Sequence, residues 1–508
     1  MDTMIQRLLI LYALLLAAAL PSAAADSDTT GIAERHALWT DTRTGQSGNP
    51  ALMQSLYTHS RSEIAAAYSW ASASRPVLYQ MGDGHAFASV TADSYIRLSP
   101  TTSVWGEASY RTGRRRNITW CSTADFLLLY PHVMGDTLGG NLSSERYTFK
   151  GGWASRMGRL TLGAAADFRA EHEYRTTDPR PRCIATDLSI GLGATYALGH
   201  YTAGLNAGAR FYKQTNNVKF YREAGIIPEY QMVGLGADYK RFSGSNSSAY
   251  YKATGWSAGL DLRPATASGA VLSASYTYTP YRRIMPNYNA LPMTTLYVQR
   301  LLGEAGWRHT AARTRWSLTA VADYEHRAGD EHIAGNASAS EYRVVATLTT
   351  YRNHTLTAYA QATAERTLPH GIAALRLRGG YTDFAADYLS PHREMAFAKA
   401  FGEAAAQWKH AFRHGQWLSA DLSAAYRAGT SKHIAMPYAT MDAAATRLAD
   451  NTYAWLTADR LDIAAALRLD LPLRTRGIGG LFFRLSADYS SSPGYHATTL
   501  GASAGLSF

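Results

Sequence analysis

From about residue 62 to the C-terminus the sequence keeps returning to an alternation of apolar and polar residues. Leu461, Ile463, Ala465, Leu467, Leu469 and Leu471 share one face of an extended segment, and Asp462, Ala464, Ala466, Arg468 and Asp470 share the other. The pattern recurs with Leu160, Leu162, Ala164, Ala166 and Phe168 against Arg159, Thr161, Asp167 and Arg169. It recurs again with Trp316, Leu318, Ala320, Ala322 and Tyr324 against Arg315, Ser317, Thr319, Asp323 and Glu325. A period of two belongs to a β-strand, whereas a period of 3.6 would drop these charges onto the apolar stripe. Such a chain has to cover many apolar strand faces, with a second sheet or with lipid.

The two ends favour lipid. Arg7, the apolar stretch Leu8–Leu20, Pro21 and Ala23-Ala24-Ala25 read as a secretory signal peptide over 1–25, with Asp26 as the mature N-terminus. An uncleaved anchor is the alternative, for which the apolar run is short. Mean hydropathy is −0.23, and no later run of ~18 apolar residues offers a transmembrane helix. At the far end Leu500, Ala502, Ala504, Leu506 and Phe508 share one face, opposed by Gly501, Ser503, Gly505 and Ser507. A last amphipathic strand ending in Phe508 resembles the insertion signal of outer-membrane barrels. That resemblance implies that Leu506 and Phe508 are read by the barrel-assembly machinery. The 33 Tyr and 11 Trp suit two water–lipid interfaces.

The connectors alternate in length. Pro100-Thr101, Arg156-Met157-Gly158, Leu198-Gly199-His200 and Arg413-His414-Gly415 are short, while 113–142, 173–183, 216–245, 327–339 and 429–450 are long. Short periplasmic turns and long extracellular loops are the mark of an up-and-down transmembrane β-barrel. About nineteen segments qualify as strands, but both termini on one side require an even number. The conflict lies at 340–390, where Arg352-Asn353-His354 and Leu368-Pro369-His370-Gly371 both read as turns. The expectation is an all-β antiparallel barrel of about 18 strands over 62–508, with 16 as the next choice, in the bacterial outer membrane and in contact with its lipid.

A barrel that wide is not filled by its own strand side chains. It conducts, or something closes it. Residues 26–61 are polar and precede the first strand. Their Asn49-Pro50-Ala51 element resembles the N-terminal hatch of long-chain fatty-acid outer-membrane transporters; it is also an ordinary turn dipeptide. Phe126, Leu127, Leu128, Leu129 and Tyr130 form an apolar cluster inside a long loop, as a constriction, a capture site, or packing for neighbouring loops. Tyr130–Asp136, Glu145–Gly152 and Asp178–Arg182 are similar to landmarks of an uncharacterised outer-membrane β-barrel family, which implies the barrel and supplies no activity. Cys121 and Cys183 fall in loops on the same side, as one disulfide or as two separate thiols.

The formal charge is +11. The cations are spread along the chain and alternate with apolar residues, so they read as lumen and loop charges facing anionic solutes or lipid headgroups. No nucleic-acid motif accompanies them. No Gly-x-Ser-x-Gly elbow is present, and Glu325, His326, Glu331 and His332 match no metal-ligand template. The expectation is no enzyme, no cofactor and no metal. What remains is a channel or transporter for a small solute or apolar ligand. The alternatives are a non-conducting partner of a separate uptake receptor or surface protein, and more remotely a lipid enzyme.

Overall fold

The computed structural model describes residues 29–221, 229–242, 248–265, 268–336, 341–441, 443–475 and 478–508. The expected signal peptide lies outside them. The strands are β1 (Arg61–Ala73), β2 (Gly84–Arg97), β3 (Thr102–Ile118), β4 (Met134–Gly135), β5 (Gly140–Met157), β6 (Leu160–Tyr174) and β7 (Arg180–Leu198). Then come β8 (Tyr201–Lys219), β9 (Tyr230–Gly234), β10 (Ala237–Asp238), β11 (Ser248–Pro264), β12 (Ser268–Met285), β13 (Leu291–Thr310) and β14 (Thr314–Ala334). The last are β15 (Val344–Leu368), β16 (Gly371–Tyr388), β17 (Arg393–Ala411), β18 (Trp417–Ala435), β19 (Arg460–Thr475), β20 (Ile478–Ser492) and β21 (Tyr495–Ser507).

All but β4, β9 and β10 form one 18-stranded antiparallel sheet. It closes because β21 pairs with β1, with Leu506 opposite Ile64. The Phe508 N–H donates to the Ser62 carbonyl at 2.9 Å and ties the last residue to the first strand. That strand begins at Arg61, one residue before the expected boundary. Gly158 and Gly199 take φ of 64° and 58° in the tight turns, a region that suits residues without a Cβ.

The barrel has 18 strands, and the surplus nineteenth segment has a specific origin. Arg352-Asn353-His354 is not a turn: β15 runs through it for 25 residues. Asn353 is paired on both sides, opposite Arg327 and Ala386, and its amide donates to the Ala385 carbonyl at 3.0 Å. The expected 173–183 loop likewise shrinks to 175–179, because β6 and β7 continue as polar ladders beyond the apolar belt. Polar residues on both faces imitate a loop in sequence, yet the backbone stays paired.

The predicted outward faces are the exposed ones. Leu192, Leu205, Leu260, Leu318, Leu422 and Leu485 are each more than half exposed, and Trp153, Trp256, Trp307, Trp316 and Trp408 stand among them. An apolar surface encircling the molecule is what lipid covers.

Candidate ligand chamber and lumenal closures

Residues 29–60 occupy the short-turn half of the lumen. Two short helices, α1 (Thr29–Glu34) and α2 (Leu38–Thr44), lead to a 3-10 turn at Pro50–Ser55. Asn49 caps that turn, its Oδ1 accepting from the Ala51 N–H at 3.0 Å, and Pro50 fills the first position, where no N–H is needed. The Asn49-Pro50-Ala51 element is therefore a turn, and the turn is buried against the barrel wall. Asn49 Nδ2 donates to the carbonyls of Ala194 and Leu205, at 3.4 and 3.2 Å, and to Asp261 Oδ2 at 3.2 Å. Glycines make room for it. A Cβ on Gly193 would lie 2.0 Å from Asn49 Oδ1, and one on Gly163 would lie 2.5 Å from the Ala51 nitrogen.

Other walls hold the same segment. The Tyr95 hydroxyl of β2 donates to the Met53 carbonyl at 2.7 Å. Arg263 of β11 donates to the Thr44 carbonyl at 2.8 Å, and Glu304 of β13 accepts from Gln46 N–H at 3.1 Å. On β17, Gln407 donates to the His36 carbonyl at 2.8 Å while accepting from Leu38 N–H at 3.1 Å. Arg35 pairs with Asp93. The segment thus spans the lumen from β2 round to β17. A polar cavity of about 420 Å³, lined by Arg35, Glu63, Lys409, Asp421 and Arg468, remains beside it.

The long-loop half is closed by different chain. Phe126–Leu129 forms one helical turn, α3, with Phe126 and Leu129 buried and Leu127 exposed. Burying a leucine contributes roughly 1.5–3 kcal/mol, and Leu129 packs among Ile118, Val133, Met134, Met232 and Leu296. Polar anchors fix the turn across the lumen. Asp125 accepts two hydrogen bonds from Arg169 of β6, at 2.8 and 2.7 Å, and one from the Tyr212 hydroxyl of β8 at 2.8 Å. On the opposite wall Arg327 of β14 donates to the carbonyls of Leu127 and Tyr130, at 3.0 and 2.9 Å. The apolar cluster therefore packs both against other loops and across the barrel mouth. Strands β4, β9 and β10 form a small sheet beside it. A further helix, α4 (Ala443–Thr457), buries Ala445, Leu448 and Ala449. None of the last was expected from the sequence, although the apolar spacing of Ala445, Leu448, Ala449 and Leu456 carries the helical period.

Where these three segments meet they leave an apolar chamber of about 280 Å³, lined by Phe126, Leu127, Val133, Leu235, Leu448 and Leu456 among others. Gln80, Glu325, Arg327, Asn353, Thr355 and Thr452 are among its polar positions. On the far side of Leu127 lies a polar vestibule of about 780 Å³ with His85, Arg111, Arg115, Arg146 and Glu173. Leu127 lines both spaces. Glu229, at the start of the inner sheet, is 1% exposed. Burial, and after it the charge of Asp136, push its carboxyl up to about 8.

The two cysteines are not bonded. Cys121 and Cys183 are buried free thiols. Cys121 Sγ donates to the Thr123 carbonyl at 3.0 Å and Cys183 Sγ to the Ser122 carbonyl at 2.9 Å, so each sulfur is satisfied without the other. Cys183 also lies in β7, not in a loop. Glu331 accepts from the Thr350 and Tyr388 hydroxyls, both at 2.7 Å, and Glu325 from Arg327, at 2.8 Å. No cluster of three metal-ligating side chains occurs among the described residues. The 130–136 and 178–182 stretches come together through Arg175, which pairs with Asp136 at 2.6 Å and donates to the Pro179 carbonyl at 2.6 Å.

Residues 50–508 match the model of a family of unknown function, DUF6850. No curated protein matches the sequence. Among solved structures, a mutant of the ferric enterobactin receptor PfeA from Pseudomonas aeruginosa is 8% identical, covering 88% of this chain and 80% of that one with a TM-score of 0.36. The ferric preacinetobactin receptor BauA from Acinetobacter baumannii is 9% identical, with the same coverages and a TM-score of 0.41. The outer membrane transporter YddB from Escherichia coli is 7% identical, covering 88% and 81% with a TM-score of 0.39. Similarity this distant carries no ligand across, and the fold here rests on the strand pairing itself.

Proposed function

The chain belongs to the DUF6850 family, and from that premise we propose that it is an outer-membrane transporter that captures a small apolar ligand and is closed by an N-terminal hatch. The observation that carries the reading is the chamber of about 280 Å³. Its lining is mainly apolar with a minority of polar side chains, and it lies at the loop end of a lumen otherwise rich in charged side chains. Small-molecule sites have this character. The 29–60 segment supplies the closure below it. The exposed apolar belt supports a place in lipid, and the C-terminal Leu506 and Phe508 suit insertion by the assembly machinery. Nothing in the reading requires a catalytic group or a cofactor.

The test is conductance of the purified mature protein in planar bilayers, with and without residues 26–59, paired with binding of an apolar fluorophore. A silent full-length chain, current steps after the deletion, and saturable fluorophore binding are the expected results. Steps in the full-length chain would make it an open pore. Silence in both forms without fluorophore binding would favour a partner or scaffold role. One feature supports that second reading. Residues 344 and 346–349 of β15 pair with β14 alone, with Val345 at a register shift between them, since pairing with β16 starts at Tyr351. Val345 and Leu348, both more than half or half exposed, lie on this uncharged edge, and bare edges recruit strands.

A further inference from the structure

Lys213, Lys252 and Arg282 stand directly opposite one another across three adjacent strands. Lys213 of β8 faces Lys252 of β11, and Lys252 faces Arg282 of β12. Directly opposed side chains emerge on the same face of a sheet, with Cβ atoms roughly 5 Å apart. All three are exposed, and their strand neighbours Tyr212, Tyr251, Ala253, Tyr281 and Arg283 are buried. The row therefore points outward from the barrel, whereas the sequence had placed such charges in the lumen and loops.

Like charges in direct register repel. Among the described residues the nearest carboxylate in the row is Asp330 of β14, two strands beyond Arg282 and separated from it by Thr295. The outward positions of β8, β11 and β12 carry no carboxylate. Among the described residues none of the three forms an ion pair, and Lys213 has only the Tyr250 ring, its Nζ 5.4 Å from the centroid. The height of the row is informative. Phe211 lies two residues below Lys213 on the same face, and Trp256 four residues below Lys252, both exposed. Leu205, Leu260 and Leu272 follow further down. The cations thus stand just past the aromatic edge of the apolar belt, at the loop end, where headgroups begin.

We propose that this row is a binding site for the phosphate groups of an outer-leaflet lipid, whose acyl chains lie along the apolar faces of β8, β11 and β12. Three cations spanning about 10 Å of sheet match more than one phosphate. Clustered cations at a membrane surface bind anionic headgroups in this way. The site rests on the membrane orientation taken above, with the loop end in the outer leaflet, but not on transport or on the chamber.

The experiment uses the full mature barrel in neutral detergent micelles doped either with lipid A bearing its two phosphates or with the same lipid stripped of them. The phosphorylated form should bind about a hundredfold tighter. K213Q/K252Q/R282Q should lose that preference, and R156Q/R159Q, on an exposed turn at the other end, should keep it. Lys252→Glu offers a second readout that does not depend on ligand. It pairs with both neighbours, so it should raise the unfolding temperature of the lipid-free barrel while removing the phosphate preference. Equal binding of the two lipids, retention by the triple variant, or a less stable Lys252→Glu barrel would overturn the proposal. Displacement by inorganic phosphate alone would also overturn it, in favour of a free anion. Each readout is independent of conductance, so failure of the transporter reading leaves this test intact.

Discussion

Asn49 donates its side-chain amide to Asp261 Oδ2 at 3.2 Å, joining the N-terminal segment to a strand 212 residues away. Asp261 is itself buried. Replacing Asn49 by Ala leaves that carboxylate oxygen with only the long hydrogen bond from Asn206 Nδ2 at 3.5 Å, a loss of roughly 1.5–3 kcal/mol for a bond to a charged group. The expected outcome is a looser hatch, read as faster protease cleavage within residues 29–60 with the barrel itself intact.

Gly193 gives a sharper test of the same contact. Its backbone tolerates any residue, but a Cβ would stand 2.0 Å from Asn49 Oδ1 and 2.8 Å from Pro50 Cδ. Gly193→Val should displace the anchor while preserving the strand, with an overpacking cost of about 1–3 kcal/mol. Current steps absent from the wild type should appear. A variant as silent as the wild type would show that the anchor does not hold the closure.

Leu127 is 58% exposed although it lines the chamber. A larger side chain there can enter the cavity without disturbing the buried Phe126 and Leu129. Leu127→Trp should weaken apolar fluorophore binding tenfold or more, on the order of 1.4 kcal/mol, with little change in unfolding temperature. Unchanged binding would place the fluorophore elsewhere.

Glu229 should make the loop end sensitive to pH. Its folded carboxyl titrates at about 8 because burial disfavours the charge, whereas the unfolded group titrates near 4.3. The folded state therefore holds the proton more tightly. Its contribution is fully present below about 4.3 and is lost as pH rises toward 8. Fluorescence of Trp120, whose ring lies 5.0 Å from that of Tyr230, should report looser packing across this window. Glu229→Gln should flatten the profile.

Cys121 and Cys183 should both be titratable without reductant once the protein is denatured, and neither should react in the native barrel. Burial pushes the Cys121 thiol up to about 12, and the thiolate is the reactive form. A count of no thiols after denaturation would restore the disulfide.

The sequence by itself determined the wall. Period-two alternation is local, and each lipid-facing strand has to carry its own apolar face, so Leu461–Leu471 or Trp316–Tyr324 can be assigned without knowing any neighbour. Where strands pass beyond lipid that requirement lapses, which is why Arg352-Asn353-His354 looked like a turn and 173–183 like a loop. Tertiary structure alone decided what fills the lumen and what faces what across the sheet. The partners of Asn49 lie on β7, β8 and β11. The chamber needs residues near 127, 235 and 448 at once. The row Lys213, Lys252 and Arg282 exists only in one register. Alternation fixes which side of a strand a residue occupies; only strand pairing and closure of the barrel bring residues hundreds of positions apart into contact.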